Sequence, residues 1–230
     1  MKQICHYASV AACMLAIVAF GTMPVEGGWL AEVAAGTPAG YTNTGISGAA
    51  PIVEDIGMYD DTTGGGVSYE FIVNAGDGGA SSAFMGSLGA PVGDSAGLKF
   101  EQWQDAGTYG VTVFGVMDYY SGIPHILNQV HQVVFVSDGT DTAIYINGAW
   151  AGEIPGASVA LSGLTGIAQA YRHSNGGTVD PLDGTLLGVA VYDAALPPGE
   201  ILTHWNAVPE PATLALLAVG GLLLMRRRGA

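Results

Sequence analysis

Residues 131–154 read HQVVFVSDGTDTAIYINGAWAGEI, and the fold is decided by how this stretch is read. Val133, Val134, Phe135 and Val136 are apolar without interruption, as in a strand covered on both faces. Asp138-Gly139 then marks a turn, residues 142–146 form a second β-type run, and Asn147-Gly148 follows. Asn-Gly tolerates positive φ at both central positions of a two-residue connection, so the pair predicts a type I′ hairpin into a third strand over residues 149–154. Strands joined by such short turns make an antiparallel meander, the building unit of a β-sandwich.

The same grammar extends on both sides. VSYEFIVN (67–74) is aromatic and β-branched, and GLKFEQW (97–103) alternates, with Leu98, Phe100 and Gln102 on one face. GTYGVTVFGVMDY (107–119) is a β run punctuated by glycines, and TLLGVAVYDAAL (185–196) closes the set. No run between 29 and 207 is long enough for a large amphipathic helix. With 36 glycines and only 11% charged residues in 230, the composition suits many short strands and tight turns. The expected class is all-β, an antiparallel sandwich.

Charge and cysteine usage narrow the function. The formal net charge is -14, and between residues 28 and 207 the only basic side chains are Lys99 and Arg172. Affinity for nucleic acid depends on Lys and Arg displacing counterions from phosphates, so nucleic acid is excluded as a partner. Such a surface suits neutral or cationic ligands, and it also keeps an exported protein soluble. The two cysteines, Cys5 and Cys13, both lie in the opening segment, so no disulfide framework is expected.

The two ends read as addresses. Lys2 precedes an uncharged apolar run over residues 8–20, and Ala19-Phe20-Gly21 supplies small residues for cleavage, the pattern of a secretory signal peptide. This divides the chain into a signal-peptide region (1–27), a β-sandwich domain (28–207) and a terminal segment (208–230). That last segment places Pro209, Glu210 and Pro211 ahead of an apolar run over residues 212–225, then Arg226, Arg227 and Arg228. The run falls short of the roughly 20 residues of a full span. The three arginines would remain on the cytoplasmic side while the domain is exported.

Two resemblances follow from these residues. The triplet, apolar helix and arginine cluster in order resemble the PEP-CTERM sorting signal of Gram-negative bacteria. That implies an exosortase-type enzyme as partner, transient residence in the inner membrane through the C-terminal helix, and then the cell surface or exterior. Carriers commonly come from producers of exopolysaccharide, which makes exopolysaccharide a candidate ligand. The IYING motif (144–148) after Asp138-Gly139, with the ending GTLLGVAVYDAALPPGEILTHW (184–205), resembles the LamG-like, concanavalin A-like jelly roll over residues 69–206. In that ending Pro197 and Pro198 open a short helix, on which Ile201 and Trp205 would share a face. The resemblance implies binding or structure at the cell surface. A polysaccharide-active enzyme and a matrix protein without a specific ligand are the alternatives.

The carboxylate motif of glycoside hydrolysis is missing. Glucanases of this fold carry E-x-D-x-E or E-x-D-x-x-E on one strand, where period 2 aligns the carboxyls. VEDIGMYDD (53–61) has the wrong spacing and reads as an acidic loop. No zincin or Cys-x-x-Cys motif occurs. The expectation is a non-enzyme, with His125, His131, His173 and His204 structural and His131 at a strand edge. No cofactor is required. Calcium is the one the sequence admits, at Asp138 and Asp141 in the turn or at Asp180 and Asp183 in GGTVDPLDG. The polar stretch YRHSNGGTVD (171–180) reads as the longest loop and as the ligand-facing surface, with Tyr171, Arg172, His173 and Asn175 as the contacts.

Overall fold

The computed structural model describes residues 46–62, 65–105 and 107–208. The signal-peptide region and the sorting residues Pro209, Glu210, Pro211, Arg226, Arg227 and Arg228 lie outside the described residues. Fourteen strands follow in order: β1 (Ile46–Ser47), β2 (Ile52–Asp55), β3 (Val67–Ala75), β4 (Ser82–Leu88), β5 (Ala96–Glu101), β6 (Thr108–Val113), β7 (Met117–Pro124), β8 (His131–Ser137), β9 (Thr142–Ile146), β10 (Ala149–Ile154), β11 (Leu164–Ile167), β12 (Ala170–Arg172), β13 (Gly177–Val179) and β14 (Gly184–Tyr192). Among the described residues one helix, α1 (Pro198–Ala207), follows the strands.

The strands form two sheets. The smaller has six strands in the order β1-β14-β3-β8-β9-β10. The larger has eight, with β13-β12-β4-β5-β6-β7 as its path and β11 joining β4 to β2. The pairing is antiparallel throughout except for β12, which lies parallel to β4. The predicted meander is β8-β9-β10, and all seven residues of β8 are buried. Asn147 and Gly148 both have positive φ, +51° and +79°, as the type I′ hairpin requires.

Alternation sends one set of side chains into the space between the sheets. Val67, Tyr69, Phe71 and Val73 from β3 meet Phe84, Leu98, Phe100, Tyr109 and Val111 from the facing sheet. Phe84 is central to this core. Its ring stacks on Phe71 at 4.7 Å and meets Phe100 and Phe135 edge-on at 5.6 and 5.8 Å. Each such pair adds about 0.5–1.5 kcal/mol beyond the area it buries.

The other face of the six-stranded sheet is also covered. Val134, Tyr145, Ala190 and Tyr192 pack with Leu196 and Ile201 beneath α1. The helix starts after Pro197 with Pro198 in its first turn, where a missing N–H costs nothing. Ile201 and His204 are its buried residues, and Trp205 is half-buried. The inward face is therefore set by an i, i+3 pair, not by the i, i+4 pair expected from Ile201 and Trp205.

His204 is turned inward by a polar cluster within this second layer. Glu70 on β3 is fully buried, and its carboxylate accepts hydrogen bonds from Gln132 Nε2 (2.5 Å), Tyr192 Oη (2.8 Å) and His204 Nδ1 (2.9 Å). Gln132 Oε1 in turn accepts from the Gly148 N–H at 2.8 Å. The helix, three strands and the Asn-Gly turn are thus tied to one carboxylate. The Glu70 hydrogen bond is the main cause raising the His204 pKa, against the opposing effect of burial.

The glycine-punctuated run 107–119 is divided at Gly115 (φ +80°), which turns the chain between β6 and β7. Two local expectations are corrected. The stretch read as an acidic loop contains β2, whose Glu54 and Asp55 pair in register with Thr165 and Leu164. His131 is not at an exposed edge. It is 1% exposed at the start of an interior strand, with Nε2 2.8 Å from Tyr109 Oη and Nδ1 2.9 Å from the Gln129 carbonyl.

Candidate ligand groove on the larger sheet

Leu98 and Phe100 point into the core, so Gly97, Lys99 and Glu101 face outward from β5. By the same alternation, Gly110 and Thr112 on β6 and Asp118 and Tyr120 on β7 share that outer face, since Tyr109, Val111 and Tyr119 pack inward. After Glu101 the chain turns, and Gln102 leaves the inward face predicted for it. Its amide donates to the carbonyls of Val111 and Tyr119 at 2.8 and 2.9 Å. A Cβ on Gly110 would stand 2.8 Å from that amide nitrogen, so glycine there lets Gln102 lie across the strand.

Of these residues Lys99, Thr112 and Asp118 line a groove of about 360 Å³, together with Trp103, Phe114 and Asp180 among others. Thr112 Oγ1 is 3.0 Å from Gln102 Oε1 and 2.6 Å from Asp118 Oδ1. The Gln102 side chain also accepts from the Trp103 N–H at 2.9 Å, which fixes the backbone carrying the indole. Trp103 is 53% exposed at the groove wall, with Met117 (57%) also at its margin.

Lys99 is 1% exposed. Its ammonium donates to the Asp180 carboxylate and, at 3.0 Å, to Ser81 Oγ, and it stands 5.3 Å from the centre of the Phe114 ring. Burial draws the Lys99 pKa down, and the carboxylates of Asp180 and Asp118 oppose that shift. The pair fastens the segment after β13 to the middle of the sheet.

A second hollow of about 440 Å³ adjoins the first and shares Ser81 with it. It is lined by Asp77, Glu101 and Asp183 with glycines between them. Glu101 accepts from Ser82 Oγ (2.8 Å) and the Gly78 N–H (3.1 Å). Burial is the main cause raising its carboxyl pKa, and Asp77 beside it adds to the rise.

The predicted site residues are distributed differently from the expectation. The stretch 171–180 is no long loop but the β12–β13 hairpin, closed by the Gly176 N–H donating to the Arg172 carbonyl at 2.9 Å. Asn175 Oδ1 accepts from the Gly177 N–H (2.9 Å), so its side chain shapes the turn. Tyr171 meets His173 edge-on at 4.8 Å, and His173 Nε2 contacts Ser87 Oγ (2.8 Å) and the Leu164 carbonyl (3.0 Å). Tyr171, Arg172, His173 and Asn175 do not line the groove; of that stretch only Asp180 does.

The four aspartates considered for calcium do not converge. Asp180 is bound by Lys99 in one hollow, and Asp183 lines the other. Asp138 Oδ1 accepts from the Thr140 and Asp141 N–H groups, both at 2.9 Å, which hold its carboxyl below the ordinary range. Asp141 Oδ1 accepts from the Gly156 N–H at 2.7 Å. Each of these three carboxylates already serves a donor of the protein, and this donor set does not fit a calcium cradle. Among the described residues, no group of three or more His, Cys, Asp or Glu side chains is placed to hold a metal ion.

Two layers of strands, a shared aromatic core and the IYING turn meet their family pattern in the sequence itself. Residues 55–202 match the concanavalin A-like lectin/glucanases superfamily. The chain belongs to this superfamily. Residues 207–228 match the PEP-CTERM protein-sorting motif, which marks this concanavalin A-like protein as exported and sorted to the cell surface, with processing by exosortase implied. Compared with curated proteins, the sequence gives no significant match.

Among solved structures, the superfamily member described here is similar to a native heptameric SAP-like pentraxin from Limulus polyphemus. Identity is 18%, the TM-score is 0.50, and the match covers 71% of this chain and 77% of that one. It is also similar to domain 4 of AbnA, a GH43 extracellular arabinanase from Geobacillus stearothermophilus, solved in complex with arabinotriose. There identity is 14%, the TM-score 0.51, and coverage 71% and 79%. At these identities the likeness is one of fold. Among the described residues, no helix is long and apolar enough to cross a membrane.

Apart from Asp180, named as a calcium candidate, the groove residues were absent from the sequence-derived list, although part of the signal was present. Lys99 is one of two bases in the domain and alternates with Leu98 and Phe100. A charge at such a position reads as a solvated face unless the covering residue, here Asp180 from 81 positions away, is known.

Proposed function

We propose that this is a non-catalytic glycan-binding protein of the cell surface, and that the Trp103 groove is its ligand site. The carrying observation is an exposed indole beside polar groups already oriented by their own hydrogen bonds. A sugar ring needs an apolar face to lie on and fixed polar partners at its edge. Trp103 and Met117 supply the first; Thr112, Asp118 and Asp180 supply the second. The arabinanase domain of the same fold, solved with arabinotriose, makes a saccharide a reasonable occupant. Fold alone does not assign function, so the weight rests on the groove.

The non-catalytic reading is supported by chemistry. Glycoside hydrolysis places an acid and a base or nucleophile on opposite sides of one bond. In this groove Asp180 is paired with Lys99 and Asp118 accepts from Thr112. The protein would be carried to the inner membrane, held there through the segment at 212–225, and passed by an exosortase-type enzyme to the surface, where exopolysaccharide is the available glycan.

Binding of the mature protein to a glycan array, followed by titration calorimetry on hits, tests this reading. Trp103→Ala should abolish binding with the circular-dichroism spectrum intact. Retained binding would remove the groove from the account, and release of reducing ends or unsaturated products would overturn the non-enzyme reading.

A further inference from the structure

Resting on the groove as the glycan site, we infer that its preferred ligand is a glycan bearing free amino groups. The argument begins with which charges the groove can present. Its one cation, Lys99, is buried and engaged by Asp180 and Ser81 below the surface. Its carboxylates are Asp118 and Asp180, the latter 23% exposed at the side chain. A ligand therefore meets hydrogen-bond acceptors with net negative charge, and must itself bring donors.

The adjoining hollow continues the pattern. It is lined by Asp77 and Asp183 over the buried Glu101 and contains no basic side chain. A polymer running from one hollow to the next past Ser81 would pass carboxylates at both. The wider field has the same sign, because 18 Asp and Glu face two bases between residues 28 and 207. Uronate or sulfated chains are repelled at approach and again in the groove. A glucosamine-type unit is attracted, its ammonium pairs with carboxylate, and a cation over the Trp103 face gains further attraction. N-acetylation removes that charge and leaves the ring's apolar face unchanged.

The test uses four defined oligomers on the full mature protein: glucosamine hexamer, N-acetylglucosamine hexamer, cellohexaose and hexagalacturonate. The glucosamine hexamer should bind about ten-fold tighter than either neutral hexamer, the scale of a single hydrogen bond to a charged group, and hexagalacturonate should not bind. Raising salt should narrow that preference. Asp118→Asn should move the ratio toward one, and Trp103→Ala should abolish binding of every oligomer. Equal or tighter Trp103-dependent binding of a neutral or anionic hexamer would overturn the amine inference while leaving the groove as a glycan site. Glucosamine binding indifferent to both substitutions would show general attraction to an acidic surface, and would overturn it too. Absence of binding by all four would remove the glycan-binding reading itself.

Discussion

Glu70 and His204 lie 134 positions apart in the chain and 2.9 Å apart in space, both shielded from solvent. One belongs to the middle of the smaller sheet and the other to the helix that ends the domain. The carboxylate also receives Tyr192 and Gln132, so its removal strands three donors. Glu70→Ala should cost about 3–5 kcal/mol, the range for leaving one member of a buried ion pair alone. Urea unfolding measures this. Glu70→Ala and His204→Ala together should cost less than their sum, because each single change already breaks the shared interaction.

The same pair sets a pH dependence. His204 has its folded pKa raised above the unfolded value near 6.5, first by the hydrogen bond to Glu70. Its contribution is therefore full below about pH 6.5 and is lost as pH rises through the raised value. His131 has the opposite sign. Burial lowers its folded pKa, so stability declines as pH falls from about 6.5 toward that lower value. Melting temperatures between pH 5 and 9 should show both limbs. His204→Gln should flatten the alkaline one and leave the acid one in place, and a profile unchanged by the substitution would show that His204 is not charged in the fold.

Gly148 answers two demands at once. Its φ is +79°, and a Cβ there would stand 2.7 Å from Leu202 Cδ1 and 2.9 Å from Leu202 Cα on the helix. Gly148→Val should destabilise by at least about 1–3 kcal/mol through backbone strain, and push on α1 as well. An unfolding midpoint equal to that of the parent would contradict the turn geometry.

At the C-terminus the sorting motif predicts a covalent change. Protein recovered from the envelope of its own host should lack Arg226, Arg227 and Arg228, with the break near Pro209-Glu210-Pro211. Intact-mass spectrometry decides. A retained C-terminus would leave a plain membrane tail in place of a processed one.

The fold was more legible than the site because it is written in local signals. The apolar run of β8, the Asn147-Gly148 turn and the alternation of Leu98 with Phe100 each lie within a few residues, where strand periodicity and turn chemistry operate. The groove joins Trp103, Thr112 and Asp118 to Asp180, and only the fold makes them neighbours. The stretch 171–180, expected as a long loop, folds as the β12–β13 hairpin. Asn175 and His173 satisfy backbone and hydroxyl partners of a hairpin. Glu70 in VSYEFIVN was equally opaque, since a carboxylate within a strand gives no hint of a partner on a distant helix.

The clamp on α1 also sets a distance. The helix ends at Ala207, and the apolar segment begins at residue 212. Five residues at full extension reach no more than about 18 Å. If 212–225 enters the bilayer, the end of α1 in the precursor lies no more than about 18 Å from the start of the membrane segment. A peptidase reading Pro209-Glu210-Pro211 would then have to act within about 18 Å of the lipid surface.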